Sequence, residues 1–282
     1  MRYEFIQAHR QEFPIQRMCQ VLQVSGSGFY AWLKGKLSQR AQANEQLMRQ
    51  IALSHETSRQ TYGSPRIWAE LRDLGFRCGI HRVARLMRKM GLKTRYRRRF
   101  RTTTKANQEH PVAPNLLAQD FKASAPDEKW LVDISYIDTD EGWLYLAGVL
   151  DVFSRKIVGW SMSERMSKTL VMDALKMAYG RRNYPKLHHS DKGSQYTSHD
   201  YLELLSEKEV LISMSGTGNC YDNAMMESFW GTLKTECASQ RYPSRQAARQ
   251  VIFEYIEVWY NRQRRHSALG YLSPEAFEQY HL

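Results

Sequence analysis

A chain of 282 residues has room for about two domains of ordinary size. Hydrophobic residues make up 42% of it, enough for a packed core, which excludes a disordered polypeptide. No apolar run approaches the ~20 residues of a membrane span, and MRYEFIQAHRQEF breaks each apolar run with charge. The sequence is therefore expected to carry no secretory leader and to work in the cytoplasm without a membrane partner. Cys19, Cys78, Cys220 and Cys237 lack CxxC spacing, which argues against a zinc module or a disulfide framework.

The net charge of +12 is unevenly spread. Residues 1–125 hold 23 Lys/Arg against 8 Asp/Glu, and residues 126–282 hold 18 against 21. A basic arm joined to a mildly acidic domain points to a polyanion such as double-stranded DNA as partner, with a separate task for the C-terminal half.

Residues 1–60 read as an N-terminal helical hairpin and connector. Pro14 suits a first helical turn, and Ile15, Met18, Cys19 and Leu22 fall on one stripe. Ser25 can cap a second helix bearing Phe29, Trp32 and Leu33. Residues 38–56 are a polar helical connector. The hairpin is as consistent with plain packing as with DNA contact.

Residues 61–95 read as a helix-turn-helix-like DNA-binding segment. Ser64-Pro65 opens one helix with Ile67, Trp68 and Leu71 inward, and GFRCG makes the turn. The next helix packs with Val83, Leu86, Met87 and Met90, while Arg82, Arg85 and Lys89 share its outer face. An apolar back and a basic front suit a helix that reads a groove or clamps phosphates; a solvated face is the alternative.

Residues 96–125 form a basic, proline-containing linker. KTRYRRRFRTTTK has seven basic residues and no acid, and Arg97, Arg98, Arg99 and Arg101 are candidate phosphate contacts. The prolines that follow mark a domain boundary.

Residues 126–282 change to a strand pattern. WLVDISYI, WLYLAGVLDVFS and KIVGWSMS are three apolar runs with short links, as in an antiparallel meander. A helix near 167–179, a strand PKLHHSD, a helix SHDYLELLSEKE, a strand VLISMS and further helices follow. That order is expected for an α/β ribonuclease H-like domain, a five-stranded mixed sheet with flanking helices, preceded by an all-α helix-turn-helix region.

Three acids stand out. Asp133 interrupts a buried-strand pattern, where an unpaired charge costs several kcal/mol. Asp191 falls just past the fourth strand, and Glu227 lies 35 intervening residues later, one turn into a helix. A shared divalent cation would compensate such a cluster. Mg²⁺ or Mn²⁺ takes oxygen ligands, and two ions can serve the attacking and leaving oxygens of a phosphoryl transfer. Each acid has a bland alternative: a turn cap for Asp191, a dipole-favoured first-turn acid for Glu227, a solvated strand face for Asp133. Asp222 and Asn223 are expected to cap the Glu227 helix, and Asp138 and Glu236 to be acids with no part in the set.

Several stretches, spread in order over nearly the whole chain, carry a family resemblance: VSGSGFYAW, TYGSPRI, W-x-x-D-I-S-Y-I, HSDKGSQYTS, YDNAMMESFWGTLKTE and YNRQRRHSALGYLSP. The sequence resembles a DDE transposase of the bacterial insertion-sequence family three, the product of its second reading frame, with an integrase-like catalytic core. The resemblance implies Asp133, Asp191 and Glu227 as catalytic metal ligands, and DNA cleavage followed by strand transfer at element ends. It implies Lys234 near substrate DNA, on Glu227's helical face and about 10 Å further along. His189 matches the motif too, as a DNA or metal-water contact or as a core hydrogen bond. It further implies a homo-oligomer on nucleoid DNA and an upstream-frame product, joined by frameshifting. A non-catalytic DNA-binding regulator derived from a transposase is the competing reading.

Overall fold

The computed structural model describes residues 1–35, 38–95, 113–215, 220–238 and 240–281. They divide into two compact units, Met1–Thr57 with Gly63–Lys93, and Ser58–Tyr62 with Thr94–Leu282.

In the first unit, α1 (Arg2–Ala8), α2 (Ile15–Val21) and α3 (Gly26–Leu33) close over Ile6, Met18, Cys19 and Phe29. Ser25 caps α3, its hydroxyl accepting from the Gly28 amide. A long helix, α4 (Gln39–Thr57), precedes α5 (Ser64–Asp73) and α6 (Ile80–Lys89). Ile67, Ala69 and Leu71 of α5 and Val83, Leu86 and Met87 of α6 are buried, as the apolar spacing requires. Gly75 ends the first of these helices at a φ of +84°, a backbone region glycine enters without strain. The Trp68 indole then donates to the Cys78 carbonyl at 2.9 Å and pins the turn.

The second unit is built on five strands: β1 (Lys129–Ile137), β2 (Leu144–Asp151), β3 (Ile157–Ser163), β4 (Leu187–Ser190) and β5 (Leu211–Met214). Their order is β3-β2-β1-β4-β5. The first three form the antiparallel meander, while β4 and β5 add in parallel. Parallel addition needs crossovers, supplied by α7 (Lys168–Tyr179) and α8 (His199–Ser206). Trp130, Val132, Ala147 and Val149 pack with Leu170, Val171, Ala174, Leu175 and Ala178 of α7 and with Tyr201 and Leu205 of α8. Gly159 lets α7 approach closely, since a β-carbon there would lie 2.2 Å from the Ala174 carbonyl.

Residues 114–117, at the end of the expected linker, run against β5. The Met214 amide donates to the Pro114 carbonyl, and the Leu116 and Leu117 amides donate to the Ser213 hydroxyl. Beyond β5, α9 (Ala224–Glu236) and α10 (Arg245–Glu254) lead into a π-helical turn, Tyr255–Tyr260, and the last helix is α11 (Pro274–His281). Among the described residues no helix is long and apolar enough to cross a membrane.

Candidate active site

Asp133 sits mid-strand on β1, opposite Gly148 of β2. That glycine makes the space for α9: a β-carbon on it would come within 3.0 Å of the Trp230 ring. The indole uses the space to donate from Nε1 to Asp133 Oδ2 at 3.0 Å, while Oδ1 accepts from the Ile134 amide at 2.8 Å. Parallel pairing of β4 with β1 brings Asp191, the residue after β4, towards Asp133. Asp191 Oδ1 accepts from the Gly193 amide at 2.9 Å, which fixes its carboxylate at the start of the loop.

The electrostatics report the meeting of these groups. Burial, and then the charge of Asp191, push the Asp133 carboxyl up to about 7; Glu227 adds in the same direction with a smaller effect. Burial likewise raises Asp191. Glu227 is exposed in the first turn of α9. Among the described residues, no three His, Cys, Asp or Glu side chains close into a metal-holding group. The fit to a divalent cation rests on donor chemistry: two neighbouring carboxylates, both raised by burial and one also by the charge of the other, are an oxygen set that a hard cation would relieve.

A buried acid in this sheet need not be a ligand. Asp151, at the end of β2, accepts from the amides of Asp127 at 2.7 Å and Ser154 at 3.1 Å, so backbone donors hold it. Around Asp151 the charge of Arg182 offsets that of Asp127, whereas Asp191 and Glu227 both act to raise Asp133.

Lys234 stands one turn beyond Trp230, its Nζ 4.6 Å from the centre of the Tyr136 ring. Burial lowers its pKa, and the charge of Asp133 works the other way. His189 is fully buried, its Nδ1 2.8 Å from the Ser213 hydroxyl. That hydroxyl accepts two backbone amides and so donates its proton to Nδ1. Burial pushes His189 down to about 4, leaving it neutral. Nδ1 is thus engaged in a core hydrogen bond, one of the two expected roles, while Nε2 has no hydrogen-bond partner among the described residues.

The capping expectation is corrected. Asn223 makes no side-chain cap bond to α9. A 3₁₀ turn, Cys220–Asn223, leads into the helix instead, and the Asp222 and Asn223 side chains tie outward. Asn223 Nδ2 donates to the Val132 carbonyl at 3.3 Å, and Asp222 Oδ2 accepts from Asn115 Nδ2 at 2.9 Å. The helix start is anchored to β1 rather than to itself. Glu236 has a structural role. It is buried, gripped by Arg264 at 2.7–2.9 Å, and accepts from the Tyr255 hydroxyl and the Trp259 indole. Being the last residue of α9, it anchors the other end of the helix bearing Glu227 and Lys234.

Two neighbours of the acids escaped the sequence reading. Trp230 is one; its signal was the spacing of three residues from Glu227 in ESFW. Tyr196 is the other, inside HSDKGSQYTS. It is buried, its hydroxyl has no hydrogen-bond partner among the described residues, and it lies in the field of Asp133 and Asp191.

In the first unit Arg85 and Lys89 are exposed on α6, and Arg88 joins them. Arg82 is turned aside, donating to Asn44 Oδ1 at 2.8 and 3.0 Å. Arg97, Arg98, Arg99 and Arg101 lie outside the described residues.

The integrase core domain family matches residues 123–220, a second integrase core domain family matches 208–274, and an HTH-like domain family matches 42–100. The fold and these matches define an integrase-core protein with a helix-turn-helix-like segment before it. The chain is 45% identical over 287 residues to the transposase InsF for insertion sequence IS3A of Escherichia coli K12, with 100% of each chain covered. It is 49% identical over 268 residues to the insertion element IS600 uncharacterized 31 kDa protein of Shigella sonnei, covering 94% of this chain and 98% of that one. The chain belongs to the IS3 family of insertion-sequence transposases. Among solved structures, a simian T-cell lymphotropic virus intasome matches at 14% identity and a TM-score of 0.49, covering 81% of this chain and 74% of that one.

Proposed function

We propose that Asp133, Asp191 and Glu227 are the catalytic acids of a DDE-type polynucleotidyl transferase that cleaves DNA at element ends and joins the freed strand to a target. The observation that carries this reading is geometric: parallel pairing of β4 with β1 brings Asp191 towards Asp133, and Trp230, on the helix that bears Glu227, donates to Asp133 at 3.0 Å. These residues would hold Mg²⁺ or Mn²⁺, two ions together, which when bound supply activation of the attacking oxygen and stabilisation of the leaving one.

The rest is done by the chain's own groups. Trp230 holds the Asp133 carboxylate in one orientation, and the Gly193 amide does the same for Asp191. Lys234, a cation beside Asp133, meets a phosphate adjoining the scissile one. Arg85, Arg88 and Lys89 contact the DNA backbone, along with the basic run Arg97, Arg98, Arg99 and Arg101. Recombining two ends of one element calls for at least two such active sites, hence a homo-oligomer on DNA, working with the upstream-frame product on nucleoid DNA.

Asp133→Asn, Asp191→Asn and Glu227→Gln test the reading. Each is expected to abolish Mg²⁺- or Mn²⁺-dependent strand cleavage of element-end DNA while leaving DNA affinity near wild type. Cleavage at the wild-type rate by any one of them removes that residue from the set. DNA binding without cleavage by the wild-type protein in either metal favours the regulator instead.

A further inference from the structure

We propose that Tyr136 and Trp143 form a stacking platform for an unpaired nucleotide base of the DNA strand lying in the active site. The proposal rests on the catalytic reading above, which makes DNA the substrate of this face.

Tyr136 belongs to β1, three residues past Asp133, and Trp143 immediately precedes β2. In the β1–β2 pairing Ile137 lies opposite Leu144, so the two aromatic residues flank the same end of the hairpin. Their ring centroids are 4.9 Å apart at 75°, an edge-to-face pair. Yet Tyr136 is 43% exposed and Trp143 47% exposed, which is a poor use of two large rings if they served packing alone. The Lys234 ammonium lies 4.6 Å from the Tyr136 ring centre, on the same helix whose Trp230 touches Asp133.

Exposed aromatic faces beside a cation are what a single nucleic-acid strand uses: the ring takes the base, the cation takes the phosphate. Tyr136 stands an odd number of residues from Asp133, so its side chain leaves β1 on the other face. The link to the site is α9, whose Lys234 ammonium lies against the Tyr136 ring and whose Trp230 donates to Asp133. A base on the platform would therefore belong to a nucleotide near the scissile phosphate. Stacking favours a base that is already unpaired, because a paired one must first leave its own stack.

The test uses the full chain in chelator, with two probes: a short duplex carrying a single-stranded thymidine overhang, and its blunt counterpart. 5-Iodouracil replaces one overhang thymine for photocrosslinking. The wild-type chain is expected to prefer the overhang duplex and to form an adduct at Tyr136 or Trp143. Trp143→Leu should lower overhang affinity about tenfold and leave blunt-duplex affinity unchanged, whereas Trp143→Phe should keep the preference. Equal affinity of the wild-type chain for the two probes overturns the platform, as does an adduct mapped only elsewhere or an undiminished preference in Trp143→Leu. Asp133→Asn, run alongside, separates the two readings. Its adduct should persist while its cleavage of element-end DNA in Mn²⁺ is lost. Cleavage by that variant with the adduct intact would indict the acid set and spare the platform.

Discussion

Trp230 Nε1 donates to Asp133 Oδ2 at 3.0 Å, so one indole links the helix carrying Glu227 to the strand carrying Asp133. Three residues in sequence separate Trp230 from Glu227, nearly one turn. The bond therefore fixes which side of α9 faces the sheet. Trp230→Phe keeps most of the buried ring and removes the donor. It is expected to cost about 1–3 kcal/mol, the range for losing a partner of a buried carboxyl, read as a lower melting temperature. Strand cleavage should fall with it, while affinity for DNA should hold. A variant with wild-type melting and wild-type cleavage would leave the indole without a positioning role.

The far end of the same helix gives a second prediction. Glu236 and Arg264 are a buried pair, and the Tyr255 hydroxyl and Trp259 indole complete the carboxylate's hydrogen bonds. Removing one partner strands the other charge, at a cost of about 3–5 kcal/mol. Glu236→Ala and Arg264→Ala should each lower the denaturation midpoint strongly, and the double variant should lose less than the sum of the two. Asp138, half exposed and paired with Arg241, should tolerate Asn within about 0.5 kcal/mol. Additive losses in the double variant would mean that the pair does not act as a unit.

The contrast between Glu236 and Asp133 shows what the sequence made legible. Asp133 announced itself because an acid broke a strand's apolar run, a local pattern. The meander and the crossover helices were legible for the same reason, since periodicity and link length are local. Glu236 sits in TLKTEC, where nothing nearby distinguishes it from a solvated helix acid. Its partner Arg264 lies 28 residues away. Asn223 and Asp222 misled in the same manner: their residue types suit a cap, but β1 and Asn115 compete for them across 91 and 107 residues. Arg82 fell on the expected helical face, and only the packing of α4 beside α6 shows that Asn44 takes it.

That last point separates the basic residues of α6. Arg85, Arg88 and Lys89 are exposed, and Arg82 is held. Removing one side chain that neutralises a phosphate should flatten the log–log dependence of duplex affinity on salt by about 0.9. Arg85→Gln and Lys89→Gln in the full chain should each show that change. Arg82→Gln should act on stability more than on slope. Unchanged slopes for Arg85→Gln, Arg88→Gln and Lys89→Gln alike would assign this face to solvent.

The acids themselves make the last prediction, in pH and metal. Burial and the charges of Asp191 and Glu227 push Asp133 from an ordinary carboxylate value of 3.8 up to about 7. Between those values the folded chain binds a proton that the unfolded chain releases. Stability of the metal-free protein should therefore fall as pH rises from about 4 to about 7. Asp133→Asn cannot titrate and should lose that part of the slope. Glu227→Gln removes one repelling charge, so in chelator near pH 7 it should melt at or above wild type. Mn²⁺ competes with the proton for the same oxygens, so its stabilisation should grow as pH rises through about 7. At fixed pH the gain should follow RT ln(1 + [L]/Kd), and wild type should gain more than either variant. Thermal melts of the three proteins, in chelator and in millimolar Mn²⁺ across this pH range, measure both effects together. An equal Mn²⁺ shift in all three would place the ions elsewhere, and the raised carboxyl of Asp133 would then be a cost of burial with no metal to relieve it.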